Sequence, residues 1–468
     1  MQAQGFKHAH GRNPYADVSL LHDLVTIEFV DEIGHQTPIS NPYNAFRMKE
    51  VFISRPYVEE RGDWVAVCST VTLDGVENKL WFEVPSTYAK YLVVERADAF
   101  LVAALPMIAR RGGRVRVEAP ISSMLLHNLR NLLSPCMPLL SSEFSELSIE
   151  AEANDAMMHP YDQFHVGTGC SCGVDSMASY RTYSEHNNTP REMLIDNLVF
   201  FDGGQHDDVS PSEPLEVKVR CHDSVYLSRL KQAQEFALAI GLPLIEIRSS
   251  LSYFHDGWGH SNLHTFRDAA CILAVQKYFS AYHFASAVHV KHFKFTISDP
   301  AYCEEFLLRC LSTESTRLYS SLATSTRYER TKMLCDFAPA RRMLNVCTHG
   351  FPNCGRCFKC VRTMLQLDLM GKLEAFEGVF DTTFYHTMDR QELAQLELQI
   401  TNDVSYKDEM LHYAAQPDAN PHAVFNYDRL VGLYKRADNR KALQRSKQKL
   451  KTLLRPVKRI VKWVLPIK

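Results

Sequence analysis

Long apolar runs are missing from this 468-residue chain. No stretch approaches the ~20 consecutive apolar residues a membrane-spanning helix needs, and the opening MQAQGFKHAHGRN lacks the apolar run of a secretory signal. The expectation is a cytoplasmic protein, with any membrane association peripheral. Internal repeats and long low-complexity tracts are also absent, which excludes solenoid architectures. Three catalytic signatures are missing as well: no Gly-Lys-Ser/Thr follows a glycine-rich turn, no GxGxxG fingerprint occurs, and no HExxH pair is present.

What is there reads as an ordinary globular protein, 46% hydrophobic and 23% charged, long enough for two or three domains. Thirteen cysteines, an odd number, include a tight group at Cys347, Cys354, Cys357 and Cys360. The others are scattered as buried thiols are in a reducing compartment, so metal is favoured over disulfides. Charge is uneven. Thirteen Lys/Arg against the single acid Asp438 give residues 435–468 a net of +12, so in a chain of formal charge −2 the preceding 434 residues carry −14.

Residues 1–155 read as an α+β module, with strands at 24–30, 50–54, 64–70 and 79–84. One helix is expected through ADAFLVAALPMIARRGG, kinked by Pro106 and stopped by Gly112 and Gly113, and another through SSMLLHNLRNLL with Ser122 or Ser123 as N-cap. The polar stretch EAEANDAMMHPYDQ marks a boundary. From residue 156 to about 380 strands alternate with helices, the pattern of a doubly wound parallel α/β sheet. Ligands bind beyond the carboxyl ends of such strands, which places Gly169 to Ser176 and Asp202 to Gly204 at one crevice. A helical region, 381–434, and a basic amphipathic tail, 435–468, complete the chain.

The run CSCGVDS (170–176) enters a helix through small residues. Such a turn exposes backbone N–H groups at the positive end of a helix dipole, which suits an anion such as phosphate, and Ser171 and Ser176 add hydroxyl donors. A thiol at a helix N-terminus can become a nucleophile, so Cys170 and Cys172 admit a chemical reading; the plainer one is a small tolerated residue. Separately, C-x6-C-x2-C-x2-C in VCTHGFPNCGRCFKC has spacings suited to tetrahedral thiolate binding of zinc in a closed structural site, although four cysteines also serve iron–sulfur clusters. His260, His264, Arg267 and Asp268 fall on one helical face and admit acid-base, metal or purely structural roles. His289, Lys291 and His292 carry the same ambiguity. In the tail, Leu450, Leu453, Leu454, Val457, Ile460, Val461 and Val464 recur at helical spacing among lysines and arginines, with Trp463 suited to a headgroup boundary. An anionic membrane surface is the partner this suggests. Pro456 interrupts the pattern, and a flexible solubilising or nucleic-acid-binding tail is the alternative.

The segment Ser171-Cys172-Gly173-Val174-Asp175-Ser176 resembles the SGGxDS pyrophosphate loop of the PP-loop ATP pyrophosphatases, the adenine nucleotide α-hydrolase-like enzymes, departing from it at Cys172, where the family usually has glycine. With the four-cysteine cluster downstream, residues 164–375 resemble the 7-cyano-7-deazaguanine synthase branch of that superfamily. The resemblance implies a loop of Gly169, Ser171, Cys172, Gly173, Val174, Asp175 and Ser176, with Asp202, around ATP, and Asp175 orienting magnesium or the loop. STRYER (325–330) is similar to the family's basic stretch, which makes Arg327 and Arg330 phosphate or substrate contacts. The implied activity is a ligase that adenylates a small substrate, releases pyrophosphate and lets a nitrogen or sulfur nucleophile displace AMP. A tRNA-thiolation enzyme and a non-catalytic nucleotide sensor with a degenerate loop are the alternatives.

Overall fold

Residues Trp64 to Pro85 turn back on themselves at Asp74-Gly75, both at positive φ, as a two-residue hairpin loop demands. The structure, a computed structural model, describes residues 50–159, 164–184, 189–203, 215–255, 258–402, 406–440 and 446. The strand expected at 24–30, Gly204 and nearly all of the tail beyond 440 lie outside these residues. Among the described residues the strands are β1 (Val51–Ile53), β2 (Tyr57–Arg61), β3 (Trp64–Leu73), β4 (Val76–Pro85), β5 (Arg114–Val117), β6 (Ile121–Ser122), β7 (Ser148–Glu150), β8 (Ala153–Asn154), β9 (His165–Gly169), β10 (Asn197–Asp202), β11 (Leu244–Ser249), β12 (Phe279–Ala285) and β13 (Arg317–Ser321).

Eleven of them form one mixed sheet in the order β13-β12-β9-β10-β11-β4-β3-β1-β5-β7, with β2 on β3; β6 and β8 pair separately. From β13 to β11 every pairing is parallel. Chain order runs outward from β9 in both directions, through β10 to β11 on one side and through β12 to β13 on the other, and the carboxyl ends of β9 and β12, where the order reverses, are where such sheets bind ligands. Helix Val174–Tyr183 begins at that point, directly after β9.

Residues 50–159 do not fold away from this sheet. They extend it, through an antiparallel pairing of β11 with β4 that sets Arg248 opposite Glu83 and Ser249 opposite Phe82. Trp81 N–H donates to Ser250 Oγ at 3.0 Å, and Arg248 lies 3.8 Å from the centre of the Trp64 ring. A buried polar staple strengthens the join: Arg96 donates to Gln276 at 2.7 Å, Gln276 donates to Asp98 at 2.7 Å, and Arg96 pairs with Asp98 at 3.0 Å. The terminal nitrogen of Arg96, the Gln276 amide and the Asp98 carboxylate are thereby partnered, as buried polar groups usually are, while Arg96 Nε has the ion pair but no hydrogen bond. The polar stretch after Glu150 is tied down too, because Met158 N–H donates to Ser315 Oγ at 2.8 Å.

Helix Asp98–Arg110 contains Pro106 and is followed by Gly112 and Gly113 at positive φ, while Ser122 Oγ accepts from Leu125 N–H at 3.0 Å as the N-cap of Ser123–Asn128. A Cβ on Gly113 would sit 1.7 Å from the Glu146 carbonyl oxygen, so only glycine fits there. One core lies under the sheet around Asp98–Arg110 and His260–Ala274. A second gathers Cys170, Cys172, Val174 and Met177 with the four-cysteine segment and the helices after residue 380. Residues 427–440 are helical, so the 434/435 position lies inside a helix. Among the described residues no helix is long and apolar enough to cross a membrane.

Candidate functional site

Strand β9 delivers the chain into the crevice. Gly167 lets it pass beneath aromatic rings, since a Cβ there would come 2.7 Å from Phe279. Cys170 N–H donates to Val199 O at 2.8 Å and ends the strand pairing. Cys172 then adopts φ +54°, in the left-handed region where an L-residue is strained. The backbone here has the conformation that favours glycine, and cysteine occupies it. Gly173 is the N-cap of Val174–Tyr183 and supplies no side-chain cap. Ser171 Oγ lies 3.1 Å from Ser176 Oγ and accepts from Gly173 N–H at 3.3 Å, so the loop's hydroxyls meet across its mouth.

The thiols of Cys170 and Cys172 point inward. Both residues are under 5% exposed, and the sulfurs lie 3.8 Å and 3.9 Å from the carbonyls of Ala233 and Gln232 on helix Leu215–Ile240. The neighbouring Cys172 thiol and burial push the Cys170 thiol well above its ordinary pKa. This environment favours the plain reading over the nucleophilic one.

Asp175, in the first turn, is clasped by both arginines of STRYER. Burial by itself would raise its pKa, but the charges of Arg327 and Arg330 outweigh it and hold the carboxyl below its usual value. One oxygen pairs with Arg327, and the other accepts from Arg330 at 2.9 Å. Thr326 and Glu329 form a reciprocal capping box that fixes the start of helix Arg327–Leu334, and with it both guanidinium groups. Arg330 also donates to the carbonyls of Ser286, Leu322 (2.9 Å) and Ser325 (2.8 Å). Its terminal nitrogens are therefore occupied, and it positions Asp175 rather than reaching outward. The Nε atoms of Arg327 and Arg330 are buried and make no hydrogen bond.

The charges of three further cations are felt in this neighbourhood. The charges of Arg327 and Arg330, then Arg362, act on Asp175. Lys359 is brought below its ordinary pKa by partial desolvation, then by Arg327 and Arg362, with Arg229 adding to this and Asp175 opposing. Glu409 lies within reach of the Arg362 and Arg327 charges as well, so the basic groups outnumber the acids here. None of Arg229, Lys359 and Arg362 stands out in the sequence; the one available signal is that Lys359 falls between two cysteines of the cluster. Asp202 ends β10 at the same edge of the sheet, three residues beyond Val199, which is paired with Gly169.

The sulfurs of Cys347, Cys354, Cys357 and Cys360 all lie within 4.8 Å of one another, with Cys357 and Cys360 3.4 Å apart and Cys354 and Cys360 4.0 Å apart. Tetrahedral zinc with Zn–S bonds of about 2.3 Å requires sulfurs about 3.8 Å apart, so the four can coordinate a zinc ion. Backbone N–H groups of His349, Cys354, Arg356 and Cys357 point at Cys347 and Cys354 sulfurs at 3.3–3.4 Å, the stabilisation metal-bound thiolates receive. Gly355 makes the intervening turn at φ +67°, and Cys357 is the N-cap of helix Phe358–Leu369. A multi-iron cluster holds its sulfurs farther apart.

The histidine face dissolves into separate structural contacts. His264 Nε2 lies 3.3 Å from Asp299, whereas Arg267 turns the other way and donates to His255 Nδ1 at 3.2 Å. The His260 side chain lies outside the described residues. His289 accepts from the Lys291 N–H at 3.0 Å as a local cap. Among the described residues the four cysteines are the one grouping placed to hold a metal. Comparisons with protein-family models, with curated proteins and with solved structures found no match to this chain.

Proposed function

We propose that residues 169–176 bind the phosphates of ATP, and that the chain is an ATP pyrophosphatase-type ligase of the PP-loop class. It adenylates a small substrate, releases pyrophosphate, and leaves AMP to be displaced by a nitrogen or sulfur nucleophile. The observation that carries this reading is the loop itself: an N-terminal helix turn without a side-chain cap, at the point where strand order reverses, with Arg327 and Arg330 clasping Asp175 and the charges of Arg362 and Lys359 acting there too. The strand order agrees with a doubly wound sheet of the adenine nucleotide α-hydrolase type. So does φ +54° at Cys172, the position where that family carries glycine.

In this reading the chain's residues have distinct tasks. Backbone N–H groups of the first helical turn and the Ser171 and Ser176 hydroxyls hold the leaving pyrophosphate. Arg327 and Lys359 offset the charge that develops on it. Asp175 keeps the arginines in place, and with both oxygens in ion pairs it does not fit a magnesium ligand. Zinc, held by the four cysteines, serves structure.

Burial of Cys170 and Cys172 weighs against tRNA thiolation, which calls for accessible sulfur. A nucleotide sensor shares the same binding loop, and turnover separates the two. Incubation with ATP labelled at the α-phosphate, in the presence of a small-metabolite extract, is expected to yield AMP and pyrophosphate. Label appearing in ADP would contradict the assignment, and binding without turnover under all substrate mixtures would favour the sensor.

A further inference from the structure

Asn345 stands between the two features described above and touches both. Its backbone N–H donates to the carbonyl of Cys172 at 2.8 Å, gripping the left-handed residue of the loop. Its side-chain oxygen accepts from the N–H of Cys347, the first cysteine of the cluster, at 3.2 Å. Its amide donates to Gln232 Oε1 at 2.8 Å, and Gln232 donates to Met343 O at 2.8 Å, closing the brace on the helix over which the Cys172 thiol packs. Asn353, also buried, accepts from Val346 N–H at 2.9 Å and Cys347 N–H at 3.1 Å and donates to Leu344 O at 2.8 Å. Residues 344–347 thus have no slack between loop and cluster.

A second connection runs through helix Phe358–Leu369. Cys357 caps it and Cys360 lies in its first turn, so a metal holding both sulfurs also sets the position of Lys359 between them. Lys359 is exposed in the first turn of this helix. The loop and the four cysteines also share one apolar core.

We infer that the four-cysteine knuckle is a working wall of the anion site: metal occupancy fixes Asn345 and Lys359, and through them the loop's affinity for pyrophosphate. Asn345 is a positioning residue, and Lys359 is an anion-contacting one. The inference rests on the phosphate reading of residues 169–176. Because binding free energies are linked, a metal that tightens anion binding must itself respond to the anion.

The full chain loaded with cobalt(II) in place of zinc provides the test, with inorganic pyrophosphate as the probe and calorimetry and the visible cobalt–thiolate bands as readouts. Pyrophosphate is expected to shift the bands, saturating at the concentration that saturates the heat. Asn345→Ala should keep one cobalt per chain yet bind pyrophosphate about tenfold more weakly and lose the band shift. Lys359→Met, an exposed change that leaves folding alone, should weaken binding about tenfold at unchanged melting temperature. Bands that stay fixed while pyrophosphate binds, or a Lys359→Met chain that binds it as the parent does, overturn the inference and leave the phosphate reading standing. A parent chain that binds neither pyrophosphate nor ATP at millimolar concentration overturns both.

Discussion

Replacing Cys172 by glycine and, separately, by alanine isolates the cost of the loop's backbone conformation. At φ +54° an L-residue carries about 1–2 kcal/mol of strain that glycine does not. Glycine in turn loses about 0.4–1 kcal/mol more chain entropy on folding. The difference leaves glycine ahead of alanine by roughly 0.5–1 kcal/mol at this position, the reverse of their usual order within regular structure. Against the parent, glycine also gives up a side chain that is 2% exposed and packed on helix Leu215–Ile240, worth about 1 kcal/mol. Cys172→Gly should therefore match the parent within about 1 kcal/mol. Cys172→Ala should be the least stable of the three. Equilibrium urea unfolding of all three chains measures this, and pyrophosphate titration of Cys172→Gly should give equal or tighter binding. An alanine variant as stable as the glycine one would refute the strain argument, and loss of turnover in Cys172→Gly with ATP binding intact would make the thiol chemical.

Cys357→Ser should lose zinc and aggregate or melt far below the parent, because structural zinc contributes ~10 kcal/mol or more to a small unit; metal analysis and a thermal melt check it. Asp175→Ala removes the shared partner of two buried guanidiniums and should cost about 3–5 kcal/mol, with Asp175→Asn milder; an alanine variant as stable as the parent would contradict the clasp. Burial pushes the Glu304 carboxyl up to about 7, with the His264 charge opposing. Its contribution to stability is complete below about pH 4.5 and is lost as pH rises through about 7, so Glu304→Gln should gain on the parent by up to about 3 kcal/mol between those limits; parallel unfolding curves at pH 5 and pH 8 would refute this. Anionic liposomes should sediment the full chain but not one ending at Arg440. That end point spares the buried Ala437 and the 2.7 Å pair of Lys407 with Asp438; equal sedimentation of the two chains would refute membrane association.

Local features were readable where local physics decides them. The strand-turn-helix at 165–183, the helix through Pro106 and its glycine stop, the Ser122 cap and the cysteine spacing all depend on neighbours within a few residues. Pairing between distant strands leaves no such mark. Nothing near Glu83 or Arg248 announces that β4 and β11 lie side by side and merge the strands from Val51 to Glu150 into the same sheet as the loop. The site was half legible for the same reason. STRYER was recognisable as basic, but Asp175 as the partner that occupies both arginines is a matter of two helices meeting. Helical spacing put His264 and Arg267 on one face, and packing then sent them to Asp299 and His255 on different sides. Asn345 and Lys359 had only their nearness to cysteines to mark them.

A crystal structure of the full chain with a non-cleavable α,β-methylene analogue of ATP tests the central claim most directly. The account predicts the β- and γ-phosphates within hydrogen-bond distance of the backbone of residues 171–176 and of the Ser171 and Ser176 hydroxyls, with Lys359 and Arg327 beside them. A crevice left empty at millimolar analogue, or phosphates bound elsewhere on the chain, would contradict it.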